Sequence, residues 1–413
     1  MKTQDSPCPA CPDANRILLV ATTPPGEMSC GGAYLRTLCE ILPRERIVCH
    51  VITWPHRFKK AADMMWLPVV FAGIPELPPR WPKYFAWMTK WKHHAYLKAW
   101  RRFRKKEVRN LAVGIAETAR RFDVTTILAV LNHPLLFAAV GEAARRADCR
   151  LICNVLDQPE YLVRNLGLRP WMRRALLRDA QQTLASAKGI GAASPHTSLV
   201  YGQRYGVRSE WVPHSIPRAQ QQQSRERPFQ SDRLSIGFCG SLYAREEWSV
   251  FLDCMIRSGW TIGGRKVSLT LFTKRLPKGV TADMPVYHRG WTTQQESVQA
   301  LAGLYVAYLP YWFNERYREE VLFAFPSKLT TYLAAGLPLL HHGPAESSIS
   351  QFMLRYPVGM SCHALDVDLL AETIKRLLAP GFLTSASRAC VSTFEMVFES
   401  GVVSDRLNSL LSC

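Results

Sequence analysis

A lysine at the start of a predicted helix is the residue whose surroundings point most directly to chemistry. Pro326, Ser327 and Lys328 open an apolar helical pattern that Gly336 closes. Proline suits the first turn of a helix, and glycine suits the left-handed residue that stops one. The N–H groups of such a first turn attract anions, and the Lys328 ammonium adds a positive charge. The segment therefore predicts an anion site, although Lys328 taken alone could be a solvated helix residue.

Four more residues follow predicted strands, at the edge where open α/β sheets bind ligands. Gly240 and Ser241 either form a plain turn or face a phosphate group. Asp157 either caps the next turn or acts in a site. His133 is either structural or handles a proton. The sequence leaves these alternatives open, and no acidic pair in it has the character of a metal site.

Two runs of alternating strands and helices would position these residues. The first run covers 16–205 and includes strands over 16–21, 126–131 and 151–156 and an amphipathic helix over 111–121. The second begins at 234 with a strand over 234–239. Between them, 217–233 is a polar stretch with four consecutive glutamines and no apolar core. Alternating strands and helices predict parallel, doubly wound sheets, and a polar stretch of this kind predicts a linker. We therefore expect two α/β domains.

The composition describes a globular protein that is too long for one ordinary domain. The chain has 413 residues, of which 47% are hydrophobic and 21% charged. Its 12 cysteines are scattered, which indicates buried thiols in a reducing compartment rather than disulfides. No apolar run approaches the roughly 18 residues that would span a bilayer, and no secretory signal is visible. These features predict a cytoplasmic protein.

The positive charge of the chain is concentrated in its first half. Residues 1–216 hold 32 basic and 16 acidic side chains, a net +16, whereas 217–413 hold 20 and 17, a net +3. The segment 80–109 alone has 11 Lys or Arg, one Glu and eight aromatic residues. Such asymmetry predicts an anionic partner for the first half.

The segment 80–109 has two main interpretations. Aromatic residues beside cations suit a membrane interface with anionic lipid, while the alternative is a core helix with a solvated basic face. Single-stranded nucleic acid would also suit this mixture, but no nucleic-acid fold signature accompanies it, and we expect no nucleic-acid partner. The aromatic side chains fall on two different helical faces, which predicts a bend at His93 and His94 or packing on both sides.

The order of several motifs resembles GT-B glycosyltransferases of the family-4 type, also called glycosyl transferases group 1. The run 326–340 reads PSKLTTYLAAGLPLL and is similar to the P-x-K-x-x-E-Y-x-A-x-G-x-P-V segment that binds the donor in that family. The resemblance covers roughly 16–380. Its other landmarks, in chain order, are 16–25 with Gly31-Gly32, 123–134, 152–160, 211–216, 238–242 and 287–290.

The resemblance implies the GT-B architecture, in which two Rossmann-like domains face each other across a cleft. We expect an acceptor-binding domain over 1–216 with the basic aromatic insertion at 80–109. A linker over 217–233 and a nucleotide-sugar domain over 234–384 would follow. The final segment, 385–413, would be a helix that crosses back to the first domain.

The resemblance also implies a set of site residues. Phe323 and Thr331 stand where the family commonly has two glutamates, and Glu319 and Glu320 lie nearby as substitutes. Asp157 and His133 would be catalytic, and Gly31 and Gly32 would form the glycine loop. The donor-binding residues would be Gly240, Ser241, Arg245, Lys274, Arg289, Glu320, Ser327, Lys328 and Thr331.

By the same resemblance, the chain is expected to be a hexosyltransferase of polysaccharide or glycoconjugate biosynthesis. It would move a sugar from a nucleotide-sugar to a saccharide or polyprenyl-phosphate-linked acceptor, with retention, no metal and no cofactor besides the nucleotide-sugar substrate. The charge asymmetry favours peripheral attachment to the inner membrane face. Two alternatives stay open: a nucleotide-sugar epimerase on the same fold, and a non-catalytic membrane-bound scaffold.

Overall fold

The computed structural model describes residues 15–26, 29–54, 67–74, 90–164, 166, 168–222 and 232–412. The chain forms two compact units. The first contains the described residues of Met1–Gly26, Leu38–Trp211 and Leu407–Cys413, and the second those of Glu27–Thr37 and Val212–Arg406. The last residues of the chain therefore belong to the first unit, where the Arg208 side chain donates a hydrogen bond to Ser409.

The first unit contains a sheet of seven parallel strands in the order β3-β2-β1-β4-β5-β6-β7. β2 is buried along its whole length, as expected for a parallel strand covered on both faces. This topology confirms the predicted parallel α/β organisation. The strands are β1 (Arg16–Ala21), β2 (Ile47–Thr53), β3 (Val69–Gly73), β4 (Val124–Val130), β5 (Arg150–Val155), β6 (Gly189–Ala192) and β7 (Arg208–Trp211).

Helices connect these strands, as parallel crossovers require, except that most of the connection between β2 and β3 lies outside the described residues. A 3₁₀ turn over Arg44–Arg46 precedes β2. The helices up to β7 are α1 (Cys30–Ile41), α2 (Lys90–Arg121), α3 (Leu136–Ala147), α4 (Pro159–Arg164), α5 (Pro170–Ser186) and α6 (Pro195–Tyr205).

Helix α2 is one continuous helix where the sequence indicated two separate segments. The apolar pattern predicted a helix over 111–121, and the helical faces of 80–109 predicted a bend at His93 and His94 or packing on both sides. The structure continues one helix from Lys90, through 93 and 94, to Arg121 without a break. Trp100 and Val108 are buried on the same face, and Arg104 lies between them with its guanidinium on Asp179 (Nε to Oδ2, 2.9 Å). Because Arg104 is a charged residue on this buried face, the apolar residues of the face do not recur at a regular helical interval. From Tyr96 onward, this face packs in the core of the unit itself.

The second unit contains a parallel sheet in the order β11-β10-β8-β12-β13-β14, with β9 antiparallel to β10. Its strands are β8 (Arg233–Cys239), β9 (Thr261–Ile262), β10 (Arg265–Phe272), β11 (Val286–His288), β12 (Val306–Pro310), β13 (Leu339–His342) and β14 (Gly359–Cys362). Its helices are α7 (Arg245–Arg257), α8 (Gln294–Leu301), α9 (Arg318–Phe323), α10 (Lys328–Ala334), α11 (Ser348–Arg355), α12 (Val367–Leu377), α13 (Phe382–Val397) and the first part of α14 (Ser400–Leu411), which belongs to the first unit from Leu407 onward.

The C-terminal end of α10 confirms the predicted role of Gly336. This glycine has a φ of 63°, in the left-handed region, and its N–H donates to Leu333 O (2.9 Å). The next N–H, of Leu337, donates back to Tyr332 O (3.0 Å). The two bonds form a Schellman motif, which satisfies carbonyl groups at the helix end.

The described part of the predicted linker packs against the second unit. Arg218–Gln220 is a 3₁₀ turn, and the Gln222 N–H donates to Ala334 O (2.8 Å) at the end of α10. The Gln221 side chain donates to Val391 O (3.3 Å) on α13. Residues 223–231 lie outside the described residues. None of the described helices is both long and apolar enough to cross a bilayer.

Candidate functional site

The structure brings Lys328 to the carboxyl end of β8 in the second unit. Its ammonium donates to Ser241 O (2.9 Å) and lies over the rings of Phe238 (4.3 Å) and Tyr243 (4.7 Å). Gly240 has a φ of 81°, and a Cβ there would stand 3.8 Å from the Lys328 side chain. Ring faces attract a cation, and together with the carbonyl they hold the charge at this edge of the sheet. The predicted residues Gly240, Ser241 and Lys328 therefore lie together.

A buried tyrosine joins the helix of Lys328 to the strand that ends at Gly240. Tyr332, on α10, is fully buried, and its hydroxyl accepts the N–H of Cys239 (3.0 Å). The Gly240 N–H in turn donates to Phe272 O (2.9 Å) on the neighbouring strand β10. These bonds fix the turn beside the Lys328 ammonium, so Tyr332 positions the site without being part of its surface.

Two more predicted donor-binding residues, Ser327 and Thr331, lie on or beside the same helix as Lys328. Ser327 is the N-cap residue, and its side chain caps no N–H group. Thr331, where the family has a glutamate, is buried, with 7% of its surface exposed. Phe323 ends α9, and Glu320 on the same helix is buried at 3% exposure.

The remaining predicted cations lie beyond the carboxyl ends of neighbouring strands. Arg245 is exposed at the start of α7. Lys274 follows β10 and lies over the Trp291 ring (4.7 Å). Arg289 follows β11, and its N–H donates to Leu271 O (2.8 Å). Since carboxyl ends of parallel strands share one edge, the structure places these three residues on the same side of the sheet as Lys328.

Sequence reasoning missed Glu247, a buried carboxylate beside this edge. Its Oε1 accepts the N–H of Phe313 (2.7 Å), and its Oε2 has no hydrogen-bond partner in the part of the chain that the structure describes. Burial raises the pKa of Glu247 above its usual value. Glu247 lies in the first turn of α7, where acidic residues are common, so its residue type and position did not predict a buried carboxylate.

An aromatic stack adjoins Glu247, and no local pattern in the sequence predicts it. Trp312 donates from Nε1 to Tyr243 O (3.2 Å), with the two rings 4.6 Å apart. The Tyr317 ring stacks on Trp312 at 4.8 Å. The loop after β12 is thereby tied to the loop that follows Gly240, and the Tyr243 ring is shared between Trp312 and the Lys328 ammonium.

The first unit carries His133 and Asp157 at the ends of adjacent strands. His133 follows β4 and accepts the Leu135 N–H on Nδ1 (3.2 Å), so its own proton lies on Nε2. Burial lowers the pKa of His133 to about 4, which leaves it neutral at pH 7. Asp157 follows β5, and burial raises its pKa. β4 and β5 pair directly, which places both residues at one edge of the sheet.

Asn132 precedes His133 and was not singled out from the sequence. Its Oδ1 accepts the N–H and the hydroxyl of Thr22 (3.3 and 2.9 Å), which ties the end of β1 to the end of β4. An asparagine after a strand is common in turns, so its type alone did not distinguish it.

Gly31 and Gly32 lie in the first turn of α1 rather than in a loop before it. The Ser29 hydroxyl accepts the Gly32 N–H (3.1 Å), and Ser29 O accepts the Ala33 N–H (2.9 Å). This cap starts the helix early enough to include both glycines. The predicted glycine loop is therefore a helix start in the structure.

No protein-family model matches the chain, and comparison with curated proteins gives no match. Solved structures match nearly its whole length. HepE from Anabaena, in complex with UDP, matches with a TM-score of 0.66 at 12% identity, over 96% of this chain and 99% of that chain. Sucrose-phosphate synthase from Thermosynechococcus elongatus matches with a TM-score of 0.65 at 11% identity, over 96% and 98%. The chain has the GT-B fold.

The matching structures are not all named as synthases or transferases. The N-terminal domain of trehalose-6-phosphate phosphatase from Candida albicans matches with a TM-score of 0.64 at 13% identity, over 100% of this chain and 99% of that one. At such identities the likeness establishes the fold only. Membership of family 4 stays a prediction. Among the described residues, no group of three or more His, Cys, Asp or Glu could hold a metal ion.

Proposed function

We propose that the protein is a glycosyltransferase that moves a sugar from a nucleotide-sugar donor to a saccharide or lipid-linked acceptor. The observation that carries this proposal is the Lys328 ammonium held beside Gly240 and Ser241, at the ligand-binding edge of the second sheet of a GT-B fold. Among proteins with this fold, HepE has been solved with UDP, with UDP and glucose, and with UDP-glucose.

In this proposal the second unit binds the donor. The leaving nucleoside diphosphate would lie against Lys328, the backbone of Gly240-Ser241 and the side chain of Arg245. Positive charge placed in advance stabilises the charge that develops on the leaving group. These groups could stabilise it without a metal, and by the family resemblance the transfer would retain the anomeric configuration. Because Thr331 and Phe323 replace the usual glutamates, ribose and sugar contacts would come from other groups, and the buried Glu320 is the nearest carboxylate in sequence.

The first unit would bind the acceptor beside His133 and Asp157. Neutral His133 has an Nε2–H that can donate to an acceptor oxygen. The half-buried Asp157, whose pKa is raised, is suited to taking a proton from an attacking hydroxyl, because its basicity is increased. These roles are hypotheses for the two residues that the sequence singled out.

A panel of donors tests the proposal directly. We expect the melting temperature to rise with at least one of UDP-, GDP- or ADP-sugars, and the matching nucleoside diphosphate to be released only when an acceptor is added. Conversion of the donor sugar without an acceptor would instead identify an epimerase. If no donor raises the melting temperature or is consumed, the chain is a non-catalytic scaffold and the proposal is wrong.

We further propose that the protein works at the inner membrane face on a polyprenyl-phosphate-linked acceptor. One face of α2 supports this location. Lys98, Arg102, Lys105 and Arg109 are exposed and recur at intervals of three or four residues, opposite the buried Trp100. Such a row of cations attracts an anionic headgroup layer. The aromatic residues over 81–89, which would enter the interface, lie outside the described residues.

Neutralising two of these cations should weaken binding to anionic vesicles. Each Lys or Arg near such a surface contributes about 1 kcal/mol, so the double variant Arg102→Gln/Lys105→Gln should bind about 30-fold more weakly. Co-sedimentation with phosphatidylserine vesicles measures the effect. The charge-matched control Lys188→Gln/Arg204→Gln removes two exposed cations elsewhere on the unit. Equal binding of both variants, or equal recovery with neutral vesicles, would contradict the membrane proposal.

A further inference from the structure

An open cavity of about 370 Å³ lies between α4 and α5 in the first unit. It is lined by three arginines, one glutamate and the apolar side chains of Pro170 and Leu177; the charged residues are Arg164, Arg173, Arg174 and Glu160. The cavity thus combines an excess of positive charge with a non-polar side. None of the residues assigned above to donor or acceptor chemistry lines it.

Two arginines of this cavity lack a carboxylate partner among the described residues. No carboxylate there forms an ion pair with Arg173 or Arg174, and the Nε of Arg173 has no hydrogen-bond partner among them. An anion bound to these two guanidinium groups would supply the missing countercharge.

The start of α5 adds to the positive potential. Arg169 is the N-cap residue and its side chain caps no N–H group, and the first turn of the helix has no acidic residue. Helices usually place carboxylates at this end, because the helix dipole is positive there. Here arginines occupy that end instead, which favours an external anion over an internal one.

We propose that this cavity binds a phosphate group attached to an apolar chain. Arginine forms paired hydrogen bonds to phosphate oxygens, and the side formed by Pro170 and Leu177 would accept the neighbouring hydrocarbon. Helix α5 also packs beside the basic helix α2, through an edge-on contact of Trp171 with Trp100 (5.3 Å between ring centres). If the protein is the glycosyltransferase proposed above, this cavity holds the phosphate of a lipid-linked acceptor. The identity of that ligand rests on the proposed function. The binding of a phosphate group in the cavity does not depend on it.

Binding measurements with Arg174→Gln and Arg178→Gln test the proposal. Both arginines are exposed on α5, four residues apart, but only Arg174 lines the cavity. We would titrate the full-length protein with inorganic phosphate and pyrophosphate, and separately with phosphatidylcholine vesicles containing phosphatidic acid. Arg174→Gln should bind at least one of these probes about 10-fold more weakly than the wild type, and Arg178→Gln should bind like the wild type in the soluble arm.

The two arms distinguish a free phosphate from a lipid phosphate. Loss of binding in the vesicle arm alone identifies a lipid headgroup, and loss in the soluble arm identifies a free phosphate or diphosphate. Equal effects of the two substitutions in both arms, or no phosphate binding by the wild type, would overturn the cavity proposal. A thermal-shift response to nucleotide-sugars, measured on the same variants, reports separately on the donor site in the second unit.

Discussion

Replacing Lys328 with alanine is expected to lower the turnover number of sugar transfer by about 10²- to 10³-fold. Removal of one fixed group that stabilises developing charge typically has an effect of this size. The Lys328 ammonium is held by a carbonyl and two rings, so its position is set before the diphosphate arrives. The loss should fall mainly on kcat, because the charge on the leaving group grows in the transition state. Release of nucleoside diphosphate in the presence of acceptor measures it.

Two further variants make the Lys328 result interpretable. Lys375→Ala removes an exposed lysine from α12 in the same unit and should leave turnover unchanged. Lys328→Arg keeps the charge but changes the shape of the cation, so we expect partial activity. A Lys328→Ala protein with full turnover and an unchanged melting temperature would remove Lys328 from the mechanism.

The fold was predictable from sequence wherever strands were short, apolar and followed by helices. β1, β4, β5 and β8 were all anticipated, because strands of a parallel sheet are buried on both faces and read as continuous apolar runs. For helix α2, the sequence did not show that the segment 80–109 and the helix over 111–121 are joined in one helix from Lys90 to Arg121. Its buried face includes Arg104, whose charge is neutralised by Asp179, a residue 75 positions away that no local pattern connects with it.

The candidate site was predictable only in part, for a similar reason. Gly240, Ser241 and Lys328 were singled out from local features, namely a strand end and a helix start, and the structure brings them together. Glu247 and Trp312 were not, since their importance comes from contacts between loops that follow different strands. Short-range spacing reveals helix starts and turns, whereas contacts between distant segments require the assembled sheet.

Replacing Tyr332 with alanine is expected to destabilise the second unit by about 3–5 kcal/mol. Removal of a large buried aromatic side chain usually costs this much, because the cavity left behind closes only partly. Tyr332 is fully buried, and the bond in which its hydroxyl accepts the Cys239 N–H would be lost as well. Urea unfolding, followed by Trp fluorescence, measures the change in the free energy of unfolding. Tyr287→Ala, at a position that is 55% exposed, should cost far less.

Tyr332→Phe separates the packing of this residue from its hydrogen bond. The ring stays in place, so only the bonds of the hydroxyl to the Cys239 N–H and to Tyr308 O are lost, at a cost of about 1–3 kcal/mol. Because that N–H immediately precedes Gly240, the loosened turn should also displace the carbonyl that holds the Lys328 ammonium. We therefore expect Tyr332→Phe to reduce kcat under conditions where the protein is still fully folded. A stability loss without any change in kcat would show that Tyr332 supports the fold but does not position the site.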